Sequence, residues 1–197
     1  MRTQARVNEQ AWYAQALLFA RNFVKHPRML GSAIPSSRFL IDHLLRQIDW
    51  ERARVIVEYG PGVGTITAEI LRRMRPDATL IVLETNQDFV TFLSRSLRDP
   101  RLHVVHGSAA EADSVLREFG LQQADYVISG IPFSTIPGAT RDAILRTTRA
   151  LLRPGGAFLV YQFSRAVLPA LRRVFGHVRQ DFEPLNVLPA HLYYCTP

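Results

Sequence analysis

Two hydrophobic periods alternate along most of this chain. Short apolar runs rich in β-branched residues occupy 54–58, 79–84, 102–106, 124–129 and 156–162 and predict strands buried on both faces. Between them, apolar positions recur at helical spacing over 64–74, 86–97, 111–119 and 139–152. A further helix is expected near 166–174, then strands near 177–182 and 190–195, with Pro154-Gly155-Gly156 read as a turn before the fifth strand. Strands alternating with helices predict an α/β domain with a mostly parallel sheet covered on both faces. Ligands in such sheets bind beyond the carboxyl ends of the strands, near the point where strand order reverses. The residues just after each strand are therefore the ones to examine.

Upstream of this alternation the pattern changes. Residues 8–25 place Trp12, Leu17, Phe19, Ala20, Phe23 and Val24 on one broad side of a helix that Pro27 ends. After the loop Gly31–Pro35, Ser36 or Ser37 can cap a second helix carrying Phe39, Leu40, His43, Leu44 and Gln47. The expected organisation is an N-terminal amphipathic extension over 1–50 and an α/β domain over 51–197. Arg2 and Arg6 precede the apolar stretch Ala11–Ala20 in the manner of a signal peptide. Glu9 and Gln15 interrupt that stretch, however, and helical spacing continues through Arg21 and Lys25, so a retained helix is expected.

Composition narrows the class. The chain has 197 residues, 47% of them hydrophobic, and its mean hydropathy is close to zero. Those values suit a soluble globular domain with a full core. No uncharged apolar run reaches the roughly 18–20 residues a membrane span needs. The single Cys195 cannot form an internal disulfide, which fits a reducing cytoplasm. Net charge is +7, and 23 of the 24 basic residues are arginine, a preference that a GC-rich genome would produce. The distribution carries more meaning. Arg2, Arg6, Arg21, Lys25, Arg28 and Arg38 face only Glu9 within residues 1–40, which implies a polyanionic partner, either an anionic membrane surface or a nucleic acid.

The chemistry is written at the strand ends. After the first strand comes Glu58-Tyr59-Gly60-Pro61-Gly62-Val63-Gly64-Thr65. Glycines let backbone approach a ligand that side chains would block, and the helix that follows offers unpaired N–H groups. The spacing is not the G-x-G-x-x-G of dinucleotide sites, and no P-loop lysine follows. Glu-x-Gly-x-Gly-x-Gly resembles instead the first motif of class I S-adenosylmethionine (SAM) methyltransferases. After the second strand stand Glu84 and Thr85, the carboxylate placed to accept hydrogen bonds from ribose hydroxyls. Gly107-Ser108-Ala109 follows the third strand, with Ser108 where class I methyltransferases often carry an aspartate for the adenine amino group. Ser129-Gly130-Ile131-Pro132-Phe133 follows the fourth. In adenine N-methyltransferases the matching segment reads Asn-x-Pro-aromatic. Gly130 takes the asparagine position here, which removes the amide grip, while Phe133 could still stack.

Taken together, the chain resembles the small bacterial SAM-dependent phospholipid N-methyltransferases. The resemblance rests on the segment Phe23–Arg38, the glycine turn, Ser129-Gly130-Ile131-Pro132, Pro154-Gly155-Gly156, Tyr161-Gln162-Phe163 and Asn186-x-x-Pro189-Ala190. Those enzymes are themselves similar to rRNA adenine dimethyltransferases. The resemblance implies a class I, Rossmann-like, seven-stranded, mostly parallel sheet flanked by helices, with SAM as cofactor, S-adenosylhomocysteine as product and no metal. It implies transfer to the amine of phosphatidylethanolamine and its mono- and dimethyl derivatives, toward phosphatidylcholine. The location implied is peripheral, on the cytoplasmic face of the membrane. An RNA adenine methyltransferase and a small-molecule methyltransferase are the alternatives.

The residues expected to hold cofactor are Glu58, Gly60, Pro61, Gly62, Gly64, Thr65, Glu84, Thr85, Gly107, Ser108, Ala109, Ser129 and Gly130. Ile131, Pro132 and Phe133 are expected against the acceptor, and Tyr13, Ser129, Tyr161 and His191 are expected to orient it or relay its proton. Trp12, Phe19 and Phe23 with Arg21, Lys25 and Arg28 suit a bilayer interface.

Overall fold

The computed structural model describes residues 36–197. The expected extension and its membrane residues Trp12, Phe19, Arg21, Phe23, Lys25 and Arg28, together with Tyr13, lie outside the described residues. Seven strands form one sheet: β1 Val55–Tyr59, β2 Thr79–Glu84, β3 Leu102–His106, β4 Ala124–Ser129, β5 Leu152–Gln162, β6 His177–Glu183 and β7 Ala190–Thr196. Their order is β3-β2-β1-β4-β5-β7-β6. The strands pair in parallel from β3 across to β5, and β7 runs antiparallel to both β5 and β6. Strand order reverses between β1 and β4, so the ends of those strands frame the ligand crevice.

Helices cover both faces because the strand side chains are apolar on both. Ile56, Leu80, Val82, Ile128 and Leu159 pack under α1 (Arg38–Leu45) and α2 (Thr65–Arg73), which contribute Leu40, Leu44, Ile66 and Ile70. The alternate positions Val57, Tyr59, Ile81, Val127 and Phe158 meet the opposite layer. That layer comprises α4 (Ala112–Glu118), α5 (Gly138–Leu151) and α6 (Leu168–Val174), with Leu116, Ile144, Leu145 and Leu171 turned inward. The remaining helix, α3 (Gln87–Ser96), buries Phe89, Val90 and Leu93. Ser37 caps α1, its hydroxyl accepting from Leu40 N at 3.1 Å.

One expected boundary moves. Pro154-Gly155-Gly156 lies inside β5 instead of before it, at a register shift opposite Ala124 and Tyr126. Gly155 has φ +81°, and a Cβ on Gly156 would stand 2.8 Å from the Asp125 carbonyl oxygen. The glycines therefore form a bulge, which keeps a strand paired while bending it. Buried Asp125 anchors the same end of the sheet. Its Oδ2 accepts from Arg54 N and Val55 N at 2.6 and 2.7 Å, and its carboxylate pairs with Arg153. No helix of the described residues is long and apolar enough to cross a membrane.

Candidate active site

The turn between β1 and α2 depends on its glycines. Gly60, Gly62 and Gly64 have φ of +65°, +57° and +79°, a region L side chains rarely enter. Space is short as well: a Cβ on Gly64 would meet Leu93 at 2.5 Å, and one on Gly60 would meet Ile131 at 3.3 Å. Gly60 N donates to Leu83 O, and Gly130 N to Tyr59 O, so the exits of β1 and β4 run side by side at the switch point.

Two carboxylates sit below this turn with different duties. Glu84, almost fully buried, closes the end of β2. Its Oε2 accepts from Gly62 N at 3.2 Å and its Oε1 from Asn86 N at 2.9 Å. The carboxylate thus fixes the glycine turn and retains lone pairs for hydroxyls in the cavity it lines. Burial raises its pKa, against the lowering effect of those backbone donors. Glu58 accepts from the Thr67 hydroxyl at 2.7 Å, and burial pushes it up to about 8. It lies behind the turn, outside the cavity wall, as a support for the N-terminal turn of α2.

In front of the turn lies a cavity of about 350 Å³. Its wall includes Gly60, Glu84, Thr85, Ser108, Ala109, Ile131 and Pro132, seven of the positions expected from sequence. Ser108 has a second task that explains its identity. It caps the 3-10 turn Ala109–Glu111, its hydroxyl accepting from Ala110 N at 3.2 Å while Glu111 returns a bond to its backbone N–H. Thr135, Ile136, Thr140 and Ile144 complete the wall. Sequence reasoning missed these four. The spacing of Ile136, Thr140 and Ile144 was the available signal, an i, i+4, i+8 stripe leading into α5.

The exit of β4 is pinned from β5. Gln162 Nε2 donates to Ile131 O at 2.7 Å, and its Oε1 accepts from Phe133 N at 3.1 Å. Ser129 Oγ accepts from Ile131 N at 3.2 Å. Beside this loop stands the Tyr161 hydroxyl. A Cβ on Gly130 would lie 2.7 Å from it, so the tyrosine needs a glycine there. Tyr161 bonds to the Ser36 side chain, and burial pushes its pKa up to about 12, which keeps the hydroxyl neutral.

Several expected roles change in consequence. Phe133 is buried in the core, edge-on to Phe158 at 6.5 Å, because the loop turns it inward. It is no stacking platform for an acceptor. Ser129 is wholly buried and its hydroxyl folds onto its own exit loop, so it positions that loop and does not relay a proton. His191 lies on β7 with its ring 5.1 Å from Phe182, apart from the cavity wall. Glu58 supports the turn from behind, and buried Pro61 and half-buried Thr65 continue it into α2 without lining the cavity.

Residues 31–183 match the model of the methyltransferase small domain. The chain belongs to that family. This methyltransferase is 37% identical over 180 residues to an ornithine lipid N-methyltransferase of Singulisphaera acidiphila, covering 90% of this chain and 94% of that one. A ribosomal RNA small subunit methyltransferase A of Mycoplasma capricolum is 26% identical over 56% of this chain, which spans only 41% of that protein. Among solved structures, a Burkholderia thailandensis 1,6-didemethyltoxoflavin-N1-methyltransferase with bound S-adenosylhomocysteine superposes with a TM-score of 0.61 at 16% identity, covering 96% of this chain and 90% of that one. The fold is that of the class I SAM methyltransferases. SAM, the cofactor, fits the residues present: Gly60 at positive φ on the cavity wall, the buried carboxylate of Glu84 beside it, and the apolar wall of Ala109, Ile131, Ile136 and Ile144.

Proposed function

We propose that this methyltransferase transfers methyl groups from SAM to the primary amine of a membrane lipid headgroup. On this reading phosphatidylethanolamine is methylated toward phosphatidylcholine at the cytoplasmic face, and ornithine lipid is the competing acceptor. The observation that carries the proposal is the near full-length similarity to a lipid N-methyltransferase, in a chain that has glycine at position 130 of the β4 exit. Gly130, backed by the Tyr161 hydroxyl, leaves no side-chain amide to grip an adenine amino group, and Phe133 faces the core. Both features speak against the RNA reading.

When bound, SAM supplies an electrophilic methyl on a sulfonium: a nitrogen–carbon bond forms as the carbon–sulfur bond breaks, and the electron pair leaves on sulfur. The residues of this chain contribute placement. Glu84 and Gly60, on the cavity wall, would hold the cofactor, and Gln162 and Ser129 hold the Ile131-Pro132 loop that borders the cavity. Fixing two reactants in line lowers the barrier by converting an encounter into an intramolecular step. The amine attacks only after losing a proton. Tyr161 is buried, bonded to Ser36 and absent from the cavity wall, so its neutral hydroxyl braces the β4 exit beside Gly130 and is not placed to take that proton.

The decisive test offers the enzyme labelled SAM with phosphatidylethanolamine vesicles, ornithine lipid vesicles and unmethylated rRNA side by side. Label in either lipid is the expected result, and the stronger acceptor names the substrate. Label confined to RNA would overturn the proposal.

A further inference from the structure

The β6–β7 connection is built in an unusual way. Its six residues, Pro184-Leu185-Asn186-Val187-Leu188-Pro189, carry no charge. The side chains of Leu185, Val187 and Leu188 stand in solvent at 59%, 70% and 41% exposure, and Phe182 and Phe39 add 47% and 51% beside them. The polar residue points the other way: Asn186 Oδ1 accepts from Ser37 N at 2.8 Å, and its Nδ2 donates to Leu188 O at 2.9 Å. Such an inversion, apolar outward and polar inward, is what a surface meant for an apolar environment requires.

The backbone follows the same logic. Leu185 N donates to Glu183 Oε1 at 2.8 Å, and Leu185 O accepts from the Ser37 hydroxyl at 2.7 Å. Pro184 and Pro189 have no N–H to satisfy. Peptide groups already bonded internally cost little to move out of water, whereas unpaired ones are costly. The acids at the base of the hairpin are also engaged: His43 lies 2.7 Å from Asp181 and 3.0 Å from Glu183, and Arg46 lies 3.3 Å from Asp181. Exposed Arg38, with no ion pair among the described residues, adds a positive charge next to Phe39. An uncharged apolar tip beside a free cation complements an anionic lipid surface.

Position completes the case. β6 runs parallel to β5, so the hairpin emerges at the same edge of the sheet as the cofactor cavity. It lies three strands from the β4 exit, or roughly 14 Å at the usual strand spacing. We propose that Leu185, Val187 and Leu188, flanked by Phe39 and Phe182, insert into the interface of an anionic bilayer and set the cofactor-binding edge at headgroup level. The inference rests on the lipid reading of the acceptor and adds the element that meets the membrane.

The experiment uses the full chain and vesicles of phosphatidylethanolamine with phosphatidylglycerol. A fluorophore on Val187→Cys reports the hairpin alone, since Cys195 is buried. It should brighten and shift to the blue when vesicles are added. The triple variant Leu185→Ser, Val187→Ser, Leu188→Ser should sediment with vesicles at least about tenfold less well, because three exposed apolar side chains lose their transfer energy. Its thermal midpoint, and its turnover of a short-chain phosphatidylethanolamine kept below its micelle concentration, should stay as in the parent. An unchanged fluorophore, or undiminished sedimentation of the triple variant, would overturn the inference. A bright fluorophore and a released triple variant, with no lipid methylated by the parent, would uphold the hairpin and remove the lipid acceptor.

Discussion

β4 and β6 lie three strands apart in one sheet and are built for opposite surroundings. Every residue of β4 is buried, whereas β6 is exposed along nearly its whole length. The β4 side of the molecule makes its site from backbone: glycines at positive φ, N–H groups aimed at Glu84, and a loop pinned by Gln162. The β6 side presents side chains, and its hairpin keeps the polar ones inside. The β4 side is thus enclosed by its own backbone and core, and the β6 edge is open to its surroundings.

The sharpest way to break this comparison is to put a side chain into the rigid half. Gly60→Val needs positive φ and space that Ile131 occupies, so SAM affinity should fall by more than about 100-fold while circular dichroism stays native-like. Next comes Glu84→Ala, which removes a buried acceptor from Gly62 and Asn86. Isothermal titration should show SAM binding weakened by about 1–3 kcal/mol, the range for hydrogen bonds to a charged group. A variant that bound SAM as before would return Glu84 to a purely architectural role.

Glu58 tests the rigid half by pH. Its carboxyl is raised by burial from an ordinary 4.5 to about 8, so folding favours the protonated form. The stability this lends is full below the unfolded value and drains away as pH rises toward and through 8. Glu58→Gln keeps an acceptor for Thr67 and has nothing to ionise. Its denaturation midpoint should hold between pH 6 and 9, while the parent loses roughly 1–3 kcal/mol over that range. Parallel pH profiles would show that Glu58 stays ionised in the fold.

The exposed half gives the smallest response. Asp181 and Glu183 are both lowered by His43, although burial opposes this and is the larger influence on Glu183. Lowered carboxylates lend stability above their unfolded values and lose it as pH falls through the folded ones. His43→Ala should therefore cost at most about 1 kcal/mol at pH 7, since Asp181 is half-exposed and screened, and nothing in acid. SAM affinity should not change. A loss of SAM binding there would join the two halves that the geometry separates.

Legibility in the sequence divides along the same line. The central strands could be read because burial on both faces writes continuous apolar runs, and the cradle because positive φ admits little besides glycine. Glu84 followed from its place at the end of β2. The wall made by Ile136, Thr140 and Ile144 was hidden because it forms only when α5 packs across the sheet. Phe133 misled because an aromatic after a strand-end proline carries no mark of which way the loop turns it. The β6 hairpin was equally opaque: apolar letters between two short strands do not say which way they face, and the exposure of Leu185, Val187 and Leu188 with the inward bonds of Asn186 shows that they face out.

Gly130 and Tyr161 also constrain how this site could have changed over time. With the tyrosine in place, any side chain at 130 meets its hydroxyl at 2.7 Å and the Gly60 carbonyl oxygen at 3.1 Å. A side chain at 130 therefore has to be met by a shift of Tyr161 and of the neighbouring turn, which couples the two positions: Gly130→Ala should be tolerated better beside Tyr161→Ala than alone.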